Sequence, residues 1–158
     1  AMKYVDKHFD LIINMKTVVD KGWFKKPKTM INASKHSEYT CWIDTDFEIL
    51  DELESIFNYV EPHRIAMVED KPWTKRRSPN LPYYNSGIVA FHECPQILHQ
   101  WAWHVENNPL SQRIYITDVP NEYNWLRLQL EHDNQNSSRK KAIHWTGQKG
   151  KDRIKGMV

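Results

Sequence analysis

Two carboxylates one residue apart are the side chains of this sequence best placed to do chemistry. Asp44 and Asp46 directly follow the apolar run 41–43, and residues two apart on an extended backbone point to the same side. Their oxygen atoms can therefore meet at one point and bind a hard divalent cation such as Mg²⁺ or Mn²⁺. An Asp-x-Asp pair after an apolar run is also a common polar start of a loop, so the pair by itself leaves both interpretations open.

The elements predicted around this pair alternate between strand and helix. Strands are predicted at 39–44, 64–68, 88–91 and 142–145, and helices at 27–36, 51–60, 95–106 and 122–131. Such alternation is typical of α/β proteins with a mostly parallel sheet. Ligands of these sheets bind beyond the carboxyl ends of the strands, which is where Asp44 and Asp46 fall. The polar stretches 71–82 and 133–141 are predicted to be flexible loops.

Composition excludes several classes of protein. The chain has 158 residues with 40% hydrophobic residues, which predicts a single domain at 1–158 with a real core. A net charge of +2 gives no global basic field of the kind that nucleic-acid binders carry. No apolar run approaches transmembrane length, and no signal-peptide pattern begins the chain. We therefore expect a cytoplasmic protein in which Cys41 and Cys94 are reduced thiols.

Three segments, taken in order, carry a resemblance to a known family. They are Trp42–Asp46, Tyr83–Phe91 and Ile143–Lys151. The set resembles the GT-A fold glycosyltransferases, especially the family 8-like nucleotide-sugar enzymes. These enzymes have a strand that ends in Asp-x-Asp, an aromatic-Asn-Ser-Gly turn before an apolar strand, and a closing His-x-x-Gly-x-x-Lys. The resemblance covers about residues 27 to 155 and implies a compact, Rossmann-related three-layer sandwich.

The sequence departs from the family pattern in two places. Only 43 residues precede Asp44, where such enzymes usually have a longer segment that supplies the first strand of the nucleotide pocket. The closing motif has Gly150 where the pattern has lysine, and Lys151 comes one place later. The chain is therefore interpreted as a compact enzyme, a piece of a longer one, or the same fold used for another task.

The resemblance implies a role for each matching residue. Asp44, Asp46 and His144 would hold a divalent metal, usually Mn²⁺ and otherwise Mg²⁺, against the diphosphate of the donor. The implied donor-binding residues are Asn85, Ser86, Gly87, Gly147, Lys149 and Lys151. Without the resemblance, His144 would be interpreted as a half-buried strand residue and Asn85–Gly87 as an ordinary tight turn.

An acidic residue near the reacting carbon is also expected from the family. The candidates for this catalytic residue are Asp118 and Glu122. Each has an equally good structural interpretation, because Asp118 could cap a helix and Glu122 could be a first-turn charge that the helix dipole favours.

The sequence thus predicts a metal-dependent glycosyltransferase. Its partners would be a nucleotide sugar, most simply a UDP-sugar, and an unidentified sugar or glycoconjugate acceptor, with no nucleic acid. The alternative is a non-catalytic nucleotide- or sugar-binding module with a degenerate GT-A fold, which the short N-terminal part favours. A phosphohydrolase or nuclease would require further carboxylates beside Asp44 and Asp46. Because a shortened chain would leave apolar surface uncovered, we also expect a homodimer.

Overall fold

The fold was determined as a computed structural model that describes residues 26–77, 80–103, 115–132 and 139–147, with residues 152, 155 and 156. The α-helices are α1 (Lys26–Ser34), α2 (Lys71–Arg77), α3 (Gln96–Trp103) and α4 (Arg127–His132). The strands are β1 (Tyr39–Ile43), β2 (Phe47–Ile49), β3 (Ile65–Glu69), β4 (Tyr84–His92), β5 (Ile116–Val119), β6 (Trp125–Leu126) and β7 (Ala142–His144). Two 3₁₀ helices lie at Glu54–Tyr59 and Asn121–Tyr123.

The described strands form two sheets of mixed direction. The larger sheet has the order β1-β4-β3-β5, in which β4 is antiparallel to both β1 and β3, and β5 is parallel to β3. The smaller sheet has the order β2-β7-β6, with β2 antiparallel and β6 parallel to β7. The expected mostly parallel sheet is therefore not confirmed among the described strands. Alternation of helix and strand predicts the elements but not their direction, because two strands joined by a helix can lie either parallel or antiparallel.

Strand β4 is one of the two inner strands of the larger sheet, and both of its faces are covered. Its residues Gly87–Phe91 are all buried. Ile88 packs in a core with Phe47 and Leu53 from the smaller sheet and the loop that follows it. Val89, one residue on, packs in a second core with residues of α1 and α3. Successive side chains of a strand point to opposite faces, so one continuous apolar run serves two cores.

Three predicted elements differ from the structure. The helix predicted at 51–60 is a shorter 3₁₀ helix at Glu54–Tyr59. The segment 71–77, predicted to be part of a loop, forms helix α2, whose first turn Asp70 caps by accepting the Trp73 N–H at 3.0 Å. The predicted helix 122–131 is divided into a 3₁₀ helix, strand β6 and helix α4. The division arises because residues 125 and 126 pair with β7, and sheet pairing outweighs the local helical pattern there.

Other predictions are confirmed or lie outside the described residues. The strands predicted at 39–44, 64–68, 88–91 and 142–145 all occur, with small shifts at their ends. Residues 133–138 of the second predicted loop and the whole segment before Lys26 lie outside the described ranges. No helix in the described part of the chain is long and apolar enough to cross a bilayer. The homodimer and the cytoplasmic location stay predictions.

A partly buried ion pair anchors the start of β7. Lys141 is 4% exposed and its ammonium contacts the carboxylate of Glu52. The Lys141 carbonyl also accepts the backbone N–H groups of Leu50 and Asp51. The Lys141 ammonium, together with hydrogen bonds from the Ser55 N–H and hydroxyl, lowers the pKa of Glu52 to about 2. This pair ties the strand that carries His144 to the segment that follows β2.

We expect Glu52→Gln to lower the free energy of unfolding by about 1–2 kcal/mol at neutral pH, less than for a fully buried pair because the Glu52 side chain is 45% exposed. A carboxylate whose pKa is lowered on folding stabilises the protein above its unfolded pKa, and this contribution fades as the pH falls towards the folded value. The difference between the variant and the natural chain should therefore shrink between about pH 4.5 and pH 2. Urea unfolding at pH 7 and pH 3 measures it, with the exposed Glu54→Gln as the control. An equal difference at both pH values would contradict the prediction.

Candidate metal centre

Asp44, Asp46 and His144 come together where the two sheets adjoin. Asp44 follows the last residue of β1, Asp46 precedes the first residue of β2, and His144 ends β7. One ligand atom from each residue lies within 4.8 Å of the other two. The carboxyl ends of β1 and β7 and the amino end of β2 thus meet at the candidate site.

Backbone hydrogen bonds hold the three residues in register. The Asp44 N–H donates to the Gly87 carbonyl at 2.8 Å, which fixes the end of β1 against β4. The Trp145 N–H donates to the Asp46 carbonyl at 2.9 Å, which fixes β7 beside β2. The ring of Phe47 stacks on the imidazole of His144 with a centroid distance of 4.4 Å and an interplanar angle of 17°. The position and the plane of the imidazole are therefore set before any ligand arrives.

The amide of Asn85 determines which nitrogen of His144 carries the hydrogen. Its Oδ1 accepts the Gly87 N–H at 2.9 Å and the Asn124 side-chain N–H at 2.9 Å, and lies 3.1 Å from His144 Nδ1. An amide oxygen accepts and does not donate, so Nδ1 must be the donor. In the neutral imidazole, Nε2 then presents its lone pair to the carboxylates. Metal-ligating histidines are typically oriented in this way, by a partner on the other ring nitrogen.

A carboxylate oxygen facing this lone pair has no hydrogen-bond donor. His144 Nε2 lies 2.8 Å from Asp46 Oδ1 and 3.6 Å from Asp44 Oδ2. The contact with Asp46 is short but lacks hydrogen-bond geometry, and Asp46 Oδ1 is buried without a donor among the described residues. A lone pair and a carboxylate oxygen repel each other unless positive charge joins them. Neighbouring ligands of an octahedral ion with bonds of about 2.1 Å lie about 3 Å apart, so the residues fit a divalent cation.

Gly87 is required by the packing of the imidazole. A Cβ atom on this residue would lie 2.5 Å from Cε1 and 2.6 Å from Nδ1 of His144, and 2.7 Å from Oδ1 of Asn85. The resemblance implies that Gly87 binds the donor, and that role stays a prediction. In the structure the group that approaches closely is the ring of His144.

Lys26 belongs to the site but was missed by the sequence analysis. Its side chain is almost buried, and its Nζ lies 2.9 Å from Asp44 Oδ1 and donates to the carbonyl and the hydroxyl of Ser86 at 3.0 and 3.1 Å. Trp42 Nε1 donates to the same Asp44 oxygen at 2.6 Å. One oxygen of Asp44 is therefore engaged, and Oδ2 is the one nearer to His144. In the sequence, Lys26 stands beside Pro27 at the start of a predicted helix, and nothing there indicates a contact with Asp44, which lies 18 residues further along the chain.

Asn124 was also missed, because it fell inside a predicted helix. It is 1% exposed and donates to Asn85 from β4. The only sign of this role in the sequence is that the polar Asn124 directly precedes the apolar Trp125 and Leu126. Asn124 completes the chain of contacts that orients His144.

The two predicted catalytic carboxylates lie apart from this cluster. Asp118 is exposed on β5 and accepts the Tyr84 hydroxyl at 2.5 Å. Glu122 lies 3.8 Å from the guanidinium of Arg139 and lines an open cavity of about 430 Å³. Neither belongs to the group of metal-binding atoms. Asp118 does not cap a described helix, whereas Glu122 lies in the first turn of the 3₁₀ helix Asn121–Tyr123, as its structural interpretation predicted. Their catalytic roles stay predictions.

The closing motif is described only as far as Gly147. This residue has φ of +76°, in the left-handed region that favours glycine. Lys149 and Lys151, the other predicted donor-binding residues of this motif, lie outside the described residues.

Comparison with known proteins shows similarity in fold to glycosyltransferases. A glycosyltransferase involved in the glycosylation of the major capsid of PBCV-1 aligns with a TM-score of 0.58 at 14% identity, over 85% of this chain and 74% of its own. Mouse xyloside xylosyltransferase 1 in its apo form gives a TM-score of 0.49 at 12% identity, over 88% and 71% of the two chains. The apo WbbM bifunctional glycosyltransferase gives 0.48 at 12% identity, over 79% and 31%. No protein-family model and no curated protein matches the sequence.

The similarity to the PBCV-1 enzyme establishes the type of fold. It covers most of both chains, and the described part of this chain therefore has a GT-A-like, glycosyltransferase fold. Membership of family 8 in particular is not shown, because an identity of 14% does not distinguish between families that share a fold.

Proposed function

We propose that this chain is a metal-dependent glycosyltransferase that takes a sugar from a nucleotide-sugar donor, most simply a UDP-sugar, and transfers it to a sugar or glycoconjugate acceptor. The observation that carries the proposal is the cluster of Asp44, Asp46 and His144. Its histidine is oriented for ligation and one of its carboxylate oxygens has no donor. The glycosyltransferase fold around it supports the choice of reaction.

The chemistry of the transfer explains why such a cluster is needed. As the bond between the sugar and the diphosphate breaks, negative charge develops on the leaving group. A divalent cation held by Asp44, Asp46 and His144 would neutralise that charge. Mn²⁺ suits a site with an imidazole ligand better than Mg²⁺, which prefers oxygen ligands alone.

The remaining residues of the site act on these three ligands. Asn85 and Gly87 keep Nε2 of His144 directed at the carboxylates. Lys26 holds Asp44 and the backbone of Ser86 together, and it keeps a positive charge beside the place proposed for the diphosphate.

An inverting transfer would also need a carboxylate base for the acceptor hydroxyl, and Asp118 and Glu122 are the residues proposed for it.

One observation favours a second candidate, a non-catalytic nucleotide- or sugar-binding module. The nearly buried ammonium of Lys26 already pairs with Asp44. A positive charge built into the site reduces the need for a bound metal. In such a module a nucleotide would bind without a divalent cation, and no sugar would be transferred.

Calorimetric titration of UDP into the protein, first with Mn²⁺ and then with excess EDTA, tests the proposal. We expect micromolar binding with the metal and its loss on chelation, and ADP and GDP serve as controls for the base. Binding that survives chelation would support the module. Failure of all three nucleotides to bind in either condition would overturn the proposed donor class.

A further inference from the structure

We propose that helix α2 and the cavity beside it bind the acceptor, and that they select a saccharide bearing an anionic group, either a carboxylate or a phosphate. The inference rests on the proposed function, because it assigns the second substrate of that transfer. It is carried by three observations on the described residues, namely cations without an ion-pair partner, exposed aromatic rings and a cavity beside the strand that carries His144.

The first observation is the charge of α2. Lys71, Lys75, Arg76 and Arg77 are all exposed, and none forms an ion pair with another described residue. Cations in the last turn are favoured by the helix dipole, which is sufficient to explain the last three. Lys71 stands in the first turn, where the dipole disfavours a cation. Lys71 lines the larger cavity that also contains Glu122. Of the four cations, Arg76 is the one that lines the smaller cavity described below.

The second observation is an exposed pair of aromatic rings on the same segment. Trp73 is 37% exposed and Tyr83 is 39% exposed, and their ring centroids are 6.0 Å apart at an interplanar angle of 67°. The guanidinium of Arg77 lies 5.4 Å from the centroid of the Trp73 ring. Exposed flat rings can cover the C–H faces of a sugar, while a guanidinium held on one of them supplies charge at the same place. The combination suits a sugar with an acidic substituent.

The third observation is a cavity of about 170 Å³ between α2 and the end of the smaller sheet. Trp73 and Arg76 line it on one side, and Leu126 and Thr146 on the other. Leu126 pairs with His144 in the sheet, and the Thr146 N–H donates to the His144 carbonyl at 2.9 Å. The cavity therefore adjoins the strand that carries the metal-binding histidine, which places an acceptor near the proposed donor.

A carboxylate also lines this cavity, and it keeps its negative charge while it caps α2. Asp70 Oδ1 accepts the Trp73 N–H at 3.0 Å and caps α2. Arg76 is left as the cation that faces the cavity without a carboxylate partner among the described residues. An anionic group on the acceptor would supply that partner.

An anionic membrane is the competing occupant of this surface. Leu81, two residues before Tyr83 in the sequence, is 67% exposed and could insert into lipid together with Trp73. The cavity favours a saccharide, because a flat lipid surface cannot enter it. Vesicle binding is therefore included as an outcome of the test.

The experiment compares tetrasaccharide probes by calorimetry in the presence of UDP and Mn²⁺. The probes are a hyaluronan tetrasaccharide with carboxylates, a tetrasaccharide capped with a sugar phosphate, and neutral chitotetraose. At least one anionic probe should bind about tenfold more tightly than the neutral one, since a charged partner strengthens each hydrogen bond of Arg76. The two anionic arms distinguish carboxylate from phosphate. Equal affinity for charged and neutral probes would overturn the proposal.

Variants locate the effect on α2. Arg76→Gln should weaken binding of the preferred anionic probe about three- to tenfold and leave the neutral probe unchanged, whereas Trp73→Ala should weaken all probes by about thirtyfold. The matched control is Lys35→Gln, an exposed cation just after α1, which should have no effect. Identical results for Arg76→Gln and Lys35→Gln, or binding to phosphatidylserine vesicles without binding to any saccharide, would contradict an acceptor site.

The same titrations separate this inference from the proposed function. UDP binding is first measured without a saccharide, and saccharide binding is also measured without UDP and Mn²⁺. If UDP does not bind but an anionic saccharide still does, the proposed donor site is overturned and the anion-selective site, formed by α2 and the cavity beside it, is not. UDP and Mn²⁺ binding with no affinity for any probe would overturn the anion-selective site alone.

Discussion

Replacement of Asp46 by asparagine is expected to weaken Mn²⁺-dependent UDP binding by about 100-fold or more. The substitution keeps the shape of the side chain but removes the negative charge from a ligand that faces His144 Nε2 at 2.8 Å. A metal that must also bind a diphosphate depends on that charge. Calorimetry with Mn²⁺ measures the loss, and Glu54→Gln, which removes an exposed carboxylate elsewhere, should bind normally.

The stability of the same variant distinguishes a metal site from a simple ion pair. Asp46 Oδ1 is a buried oxygen without a donor among the described residues. The asparagine amide could donate to the lone pair of His144 Nε2, so without metal the free energy of unfolding should stay the same or rise by about 1 kcal/mol. If His144 were instead a cation paired with Asp46, the variant would be destabilised. A destabilised variant that still binds UDP with Mn²⁺ would therefore contradict the metal site.

Gly87→Ala is expected to displace the imidazole of His144 and to impair both stability and metal binding. The added methyl group would lie 2.5 Å from Cε1 of the ring and 2.7 Å from Oδ1 of Asn85, which is closer than such atoms can approach. Overpacking of this kind should lower the free energy of unfolding by about 1–3 kcal/mol. The displaced ligand should lower the affinity for Mn²⁺ and UDP by about 10- to 100-fold.

A double variant tests the cause of this effect. In the His144→Ala background most of the clash is gone, so Gly87→Ala should cost much less stability there than in the natural chain. Gly156→Ala serves as the control, because a Cβ atom at that residue has no heavy atom within 4 Å. If Gly87→Ala lowers the free energy of unfolding equally in both backgrounds, the need for glycine at this position does not come from the ring of His144.

The parts of the site that the sequence predicted are those with a local pattern. An apolar run followed by two acidic residues identifies a strand end and its candidate ligands, and the run 88–91 identifies a buried strand. The family resemblance carried by the three motifs then implied that His144 joins Asp44 and Asp46, which the structure brings together. The first two inferences needed no knowledge of how distant side chains pack, whereas the third took that knowledge from the family.

The parts that the sequence did not predict depend on contacts between distant residues. Lys26 meets Ser86 across 60 positions, and Asn85 meets His144 across 59. Nothing in the residues next to Lys26 indicates that its ammonium is buried, and Asn124 is the partner of Asn85 only because β6 interrupts an apparently helical stretch. Strand direction was missed for a similar reason, since it is decided by packing rather than by periodicity.

The location of the site between two sheets has a consequence for the energetics of the whole chain. The larger sheet supplies Asp44 at the end of β1, and the smaller sheet supplies His144 from β7. An ion bound to both would act as a cross-link, because opening either sheet would break its coordination. Its binding energy would therefore add to the cooperativity of unfolding, and the two sheets would open as one unit rather than separately.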